Sequence, residues 1–221
     1  MNNLIGVLIS SKKEFNELLK IYNIGEDYLE KYPFGEYYRT EFRGKDIVFF
    51  RSGIRKINAS AAAQYMIDKF NLEKLIVIGT CTSSNEGLNY GDIIIPSKVI
   101  DYDYIIRELE EEIDDELYLV PDQVSMPNEY YDGVLGTSDK ALVLWSDYTF
   151  LAINSIDASD LESYAVLKIC KTNNVKCIII KGVTDKPMRS MDGYNEQLDV
   201  YEENLPIVMK KIIEEYFIEV I

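Results

Sequence analysis

The sequence predicts an α/β protein with three layers, in which helices cover both faces of a mixed, mainly parallel central sheet. Three observations carry this. The apolar runs Leu4–Ile9, Leu75–Ile78 and Cys177–Val183 read as strands buried on both faces. Segments of helical periodicity alternate with those runs. No repeat, low-complexity tract or linker divides the 221 residues, so a single domain spanning 1–221 is expected.

The elements follow in order. After Leu4–Ile9, Ser10-Ser11 supplies a cap for a helix whose Phe15, Leu18, Leu19 and Tyr22 fall on one face. Gly25–Gly35 is a polar, Tyr-rich connection. Glu36–Phe42 and Asp46–Arg51 flank Arg43-Gly44-Lys45 and form a hairpin. Ser52-Gly53-Ile54-Arg55-Lys56 is a turn before an Ala-rich helix, Asn58–Phe70. The strand Leu75–Ile78 is expected to end in a loop of small hydroxyl residues, Gly79–Ser84. Gly91-Asp92 leads into a strand, Ile93–Ile100. Glu108–Glu116 is an acidic, solvated face, and Pro121–Asn128 is a loop. Val134-Leu135 and Leu151–Asp157 are strand candidates, and a helix runs from about Asp160 to Thr172. The last strand ends at Thr184-Asp185. In the final helix Leu205, Val208, Met209, Ile212, Ile213, Tyr216 and Phe217 make one apolar stripe.

Composition excludes several kinds of chemistry. Net charge is −15, from 38 acids against 23 bases, so a nucleic-acid backbone is not an expected partner. Histidine is absent, which removes Ser-His-Asp and Cys-His catalysis and histidine-ligated zinc. Acid-base chemistry then falls to Asp, Glu, Lys, Tyr or Cys. Cys81, Cys170 and Cys177 match no metal motif, and neither metal nor cofactor is expected. Reduced thiols and no secretory signal point to the cytoplasm. The apolar runs are too short to span a membrane.

Four polar residues lie at or just after strand ends: Glu14, Thr80, Glu162 and Asp185. Parallel strands share one carboxyl edge, so these residues are expected to line one cleft. Three carboxylates in one cleft suit sugar binding, proton transfer or a hard cation. The pair Asp160 and Glu162 also has a plainer reading, as acids favoured by the helix dipole.

A family resemblance then emerges. Ile5–Ile9 followed by Glu14, the Ser52–Lys56 turn, Ile78–Thr82, Gly91–Pro96, Asp160–Ser163 and Lys181–Asp185 match, in order, motifs of the nucleoside phosphorylase/nucleosidase superfamily. The matches most resemble its hydrolases of methylthioadenosine and S-adenosylhomocysteine. The resemblance implies that such a protein cleaves the N-ribosidic bond of a purine nucleoside through an oxocarbenium-like transition state. Asp185 would be the acid at the purine N7, supported by Thr184, and Glu14 the base that activates water. Glu162 would accept hydrogen bonds from the ribose hydroxyls, with Leu161 packed under the sugar. Thr80 would touch the sugar or the nucleophile. Backbone around Cys81 and at Ile156–Ala158 would meet the base, and Ile54 would border the substrate. Family members are oligomers, which implies a homo-oligomer, most simply a dimer, with Asp101–Ile106 near the partner.

The chain also departs from the family pattern. The phosphorylases' arginines are replaced by Ser10-Ser11-Lys12-Lys13 and Val77-Ile78, which favours water over phosphate. Ser83, Ser84, Lys12 and Lys13 keep phosphorolysis open as an alternative. Ala141 stands where a phenylalanine normally stacks on the purine, with Phe150 or Tyr148 as nearby substitutes. An inactive nucleoside-binding relative is the third reading. Arg55 replaces a glycine on the ribose 5′ side, where it would select an anionic substituent.

Overall fold

The computed structural model describes residues 4–103, 118–142, 145–187 and 193–221. The acidic run Glu108–Glu116 lies outside the described residues.

The sheet is mixed. Strand β1 (Ile5–Ile9) is buried along its whole length, as its unbroken apolar run requires. Helix α1 (Lys12–Ile21) starts at Ser11 and buries Phe15, Leu18 and Leu19. The expected connection after it holds a short strand, β2 (Glu30–Tyr32), which extends the sheet antiparallel to β3 (Gly35–Phe42). Strands β3 and β4 (Lys45–Arg51) form the expected hairpin, with Lys45 inside the strand. Arg43 and Gly44 both take positive φ, 50° and 74°, as a two-residue turn compatible with strand twist demands. Helix α2 (Lys56–Phe70) buries Ala59, Ala62, Ala63 and Met66. Lys56 donates to Asp101 at 2.9 Å and to Asp103 at 2.7 Å, which pins the start of this helix.

Strand β5 (Lys74–Ser83) is longer than expected. Gly79–Ser83 is not a loop, because a parallel neighbour supports the backbone as far as Thr82. The predicted strand Ile93–Ile100 is broken at Ile95-Pro96-Ser97 into β6 (Ile93–Ile94) and β7 (Lys98–Asp101). Proline cannot donate to a ladder, which accounts for the break. A short β8 (Tyr118–Leu119) pairs with β7, and β9 (Val134–Thr137) lies on the other side of β7.

Leu151–Ile153 does not form a strand. These residues end helix α3 (Trp145–Ile153), and the strand is β10 (Ala158–Asp160). A short apolar run does not distinguish the two states. Helix α4 (Ser163–Thr172) and strand β11 (Lys176–Asp185) follow as expected. Helix α5 (Gly193–Lys211) passes into a π-helical turn, Ile212–Phe217, and the predicted apolar stripe is buried throughout.

The central strands β4, β1, β5 and β11 run parallel, and antiparallel pairings lie around them. Helices α2 and α4 pack over one face, α1 and α5 over the other, giving three layers. One discontinuity positions the site. On the side of β5 away from β11, β1 pairs only as far as Val77, and β10 begins at Thr82. Among the described residues Ile78–Cys81 therefore has no strand partner on that side, and a crevice opens at this switch in pairing.

Candidate active site

A cavity of about 340 Å³ occupies the crevice. Of the predicted residues, Glu14, Ile54, Thr80, Cys81, Leu161, Glu162 and Asp185 border it. All three carboxylate residues are at least nine-tenths buried.

Glu14 is aimed by the way its helix begins. Its backbone N–H donates to Ser11 Oγ at 3.1 Å, and its Oε2 accepts from the Ser11 N–H at 3.0 Å, a reciprocal capping box. The other oxygen, Oε1, accepts from the Thr80 N–H at 2.7 Å and from Thr80 Oγ1 at 2.9 Å. Gly79 is needed for this approach, because a Cβ there would lie 2.8 Å from Glu14 Oε1.

Asp185, at the end of β11, is held by neutral donors. Thr184 Oγ1 donates to Oδ1 at 2.7 Å; Thr82 Oγ1 at 2.8 Å and Gln197 Nε2 at 2.7 Å donate to Oδ2. Burial raises its pKa, against the pull of these three donors. Thr184 is fully buried and does not itself border the cavity; it bonds Asp185, which does.

Glu162 sits between β10 and α4 and accepts from the Arg55 N–H at 2.8 Å. Burial, with Asp160 adding to it, pushes its pKa up to about 7. Delivering that N–H puts Arg55 at φ 77°, ψ 160°, a region essentially reserved for glycine. Its side chain is exposed and does not border the cavity.

Sequence reasoning missed Lys181. It is 1% exposed, and its Nζ lies 3.0 Å from Asp160 Oδ2. Burial pulls its pKa down, but Asp160, Glu162 and Glu14 more than reverse that and keep the ammonium charged. Asp160 also accepts from Thr137 Oγ1 at 2.7 Å and from Ser163 Oγ. It is a supporting acid. Gln197 and Tyr201 of α5 were missed as well. Both border the cavity, and the Tyr201 hydroxyl lies close enough to Ser11 and Thr80 to feel them. The available signal was their place on the same helix face as the apolar stripe below them.

Phe150 does not border the cavity. Helix α3 turns its ring onto Tyr102, with centroids 6.4 Å apart, and Tyr148 stacks on Trp145 instead. Ala141 and Leu142 occupy that side of the cavity. The Ile156 and Asp157 carbonyls accept from Ser84 and Asn85, and Ser159–Glu162 forms the wall in their place. Among the described residues bordering the cavity there is no arginine or lysine. Ser83 and Ser84 are buried away from it, and Lys13 pairs with Glu202.

A sequence model of the phosphorylase superfamily matches residues 4–143. The chain belongs to that superfamily. It is 27% identical to the 5′-methylthioadenosine/S-adenosylhomocysteine nucleosidase of Buchnera aphidicola, over 95% of this chain and 97% of the relative. Two solved structures from Helicobacter pylori show the same fold. One is an MTAN mutant with 5′-methylthioadenosine in its active site, with a TM-score of 0.79, 15% identity, and 96% and 97% of the two chains covered. The other is futalosine hydrolase, with a TM-score of 0.79, 15% identity, and 95% and 94% covered.

Proposed function

We propose that this protein hydrolyses the N-ribosidic bond of purine nucleosides of the methylthioadenosine/S-adenosylhomocysteine type. The observation that carries the reading is the convergence of Glu14, Glu162 and Asp185 on one cavity, each held by different partners. The similarity to nucleosidases supports it.

In this reaction the bond from C1′ to N9 breaks, and positive charge develops on the sugar. Asp185, whose protonated form burial favours, gives a proton to N7 of the departing base. Thr184, Thr82 and Gln197 orient it. Glu14 takes a proton from the water that attacks C1′, and Thr80 holds the Glu14 carboxylate in place. Glu162 accepts from the ribose hydroxyls, bonds that strengthen as charge grows. Leu161 packs under the sugar, Cys81 borders the base, and Ile54 lies on the 5′ side. The wall without bordering arginine or lysine supports water as the nucleophile.

The reading takes the chain as one domain acting as a cytoplasmic homodimer. On the partner-facing segment expected from the resemblance, Lys56 engages Asp101 and Asp103, while 104–106 lies outside the described residues. Sedimentation at micromolar concentration checks the dimer. For the reaction, the protein is incubated with methylthioadenosine with and without phosphate, and free adenine is followed. Release without phosphate is expected. Strict dependence on phosphate would overturn hydrolysis in favour of phosphorolysis.

A further inference from the structure

Among the described residues, two buried side-chain polar atoms lack a hydrogen-bond partner: Ser10 Oγ and Gln197 Oε1. Both residues border the cavity. A buried, unpaired polar atom is costly, and two around one cavity point to a ligand that pairs with them.

The orientation of the Gln197 amide is set by its neighbours. Its Nε2 donates to Leu142 O at 2.8 Å and to Asp185 Oδ2 at 2.7 Å. Both partners are acceptors, so the nitrogen must face them and both of its protons are used. What remains for a ligand is Oε1, an acceptor only. The residue is 7% exposed and sits next to Asp185 on the cavity wall.

A purine presents N7 and its 6-substituent on the same edge. A 6-amino group donates there, whereas a 6-oxo group accepts. With N7 at Asp185, the neighbouring 6-substituent meets the Gln197 amide. We infer that Gln197 is the specificity residue of this site: its Oε1 accepts from a 6-amino group and rejects 6-oxopurines, whose oxygen would face it acceptor to acceptor. The inference rests on the proposed placement of N7 at Asp185.

The test compares methylthioadenosine with methylthioinosine, which share the sugar and 5′ group. The wild-type kcat/KM ratio is expected to favour the 6-amino substrate by about 100-fold, the equivalent of one unpaired buried acceptor. Gln197→Met removes the acceptor at similar length. Both rates fall, because Asp185 loses a donor, but the ratio is expected to collapse to within about fivefold. A residue that only positions Asp185 would lower both rates and leave the ratio intact, which overturns the inference. So would a wild-type ratio near one, a result that does not need the variant to fold. Calorimetry with free adenine and hypoxanthine separates this from the reaction itself. If the wild type hydrolyses neither nucleoside yet binds adenine far more tightly, the specificity assignment stands and the hydrolytic reading falls. If it prefers neither base, the assignment falls.

Discussion

Asp185 and Asp160 both border the cavity and are about 95% buried, and they are held by opposite means. Asp185 is surrounded by two hydroxyls and an amide. Asp160 faces the Lys181 ammonium, with Glu162 and Glu14 near enough to act on the same charge. A buried carboxylate among neutral donors is free to carry a proton, because burial disfavours its charge and no cation restores it. Asp160, by contrast, has a cation 3.0 Å away. On the proposed reading, the Asp185 side of the cavity exchanges a proton, and the side of Asp160, Lys181 and Glu162 supports a sugar that becomes positive.

The contrast can be broken by substitution. Asp185→Asn is expected to lower adenine release about 10²- to 10⁴-fold, with the thermal midpoint little changed, because the neutral amide replaces a group that needs no countercharge. Unchanged turnover would remove the proton-donor role. Lys181→Met is expected to act the other way, on stability first. Removing one partner of a buried pair costs about 3–5 kcal/mol, read from the urea midpoint. A midpoint within error of wild type would mean that Asp160 does not depend on its cation.

Titration sharpens the same contrast. Glu162 has a pKa raised to about 7 by burial and by Asp160. As pH falls through 7 it gains a proton and loses an acceptor for the ribose, so kcat/KM is expected to drop on the acid side by about tenfold per unit. Glu162→Gln should lack that limb. The stability effect has the opposite sense. A folded-state pKa above the unfolded value means that the native state binds the extra proton, so this group's contribution is fully present below about 4.5 and is lost as pH rises through 7. The smallest effect concerns strain at the sugar end. Arg55→Gly keeps the N–H that Glu162 accepts while relieving a backbone conformation that suits glycine alone. A gain of about 1–3 kcal/mol in denaturant unfolding is expected.

The sequence showed the layers because buried strands and amphipathic stripes leave period and length in the chain, as in Leu4–Ile9 and the stripe from Leu205 to Phe217. It also showed that Glu14, Glu162 and Asp185 follow strand ends. It hid what depends on distant pairing. Gly79–Ser83 has the composition of a loop and is a strand because β11, and at its end β10, lies beside it. Lys181, in the middle of an apolar strand, acquires meaning only when Asp160 is folded against it. Phe150 was misplaced because a short apolar run near Leu151 fits helix and strand equally well. Gln197 looked like an ordinary helix polar residue until Leu142 and Asp185 fixed which way its amide turns.

The capping box at Ser11 and Glu14 gives the site a phase. Each helical residue advances about 100° around the axis, so one residue added or removed between Ser11 and Glu14 would swing the carboxylate out of the crevice while leaving helix α1 free to form further along. The interval of three between cap and acid is therefore set by two demands at once, starting the helix and pointing its acid. Chain-length variation is affordable at the exposed hairpin tip Arg43-Gly44, and not here.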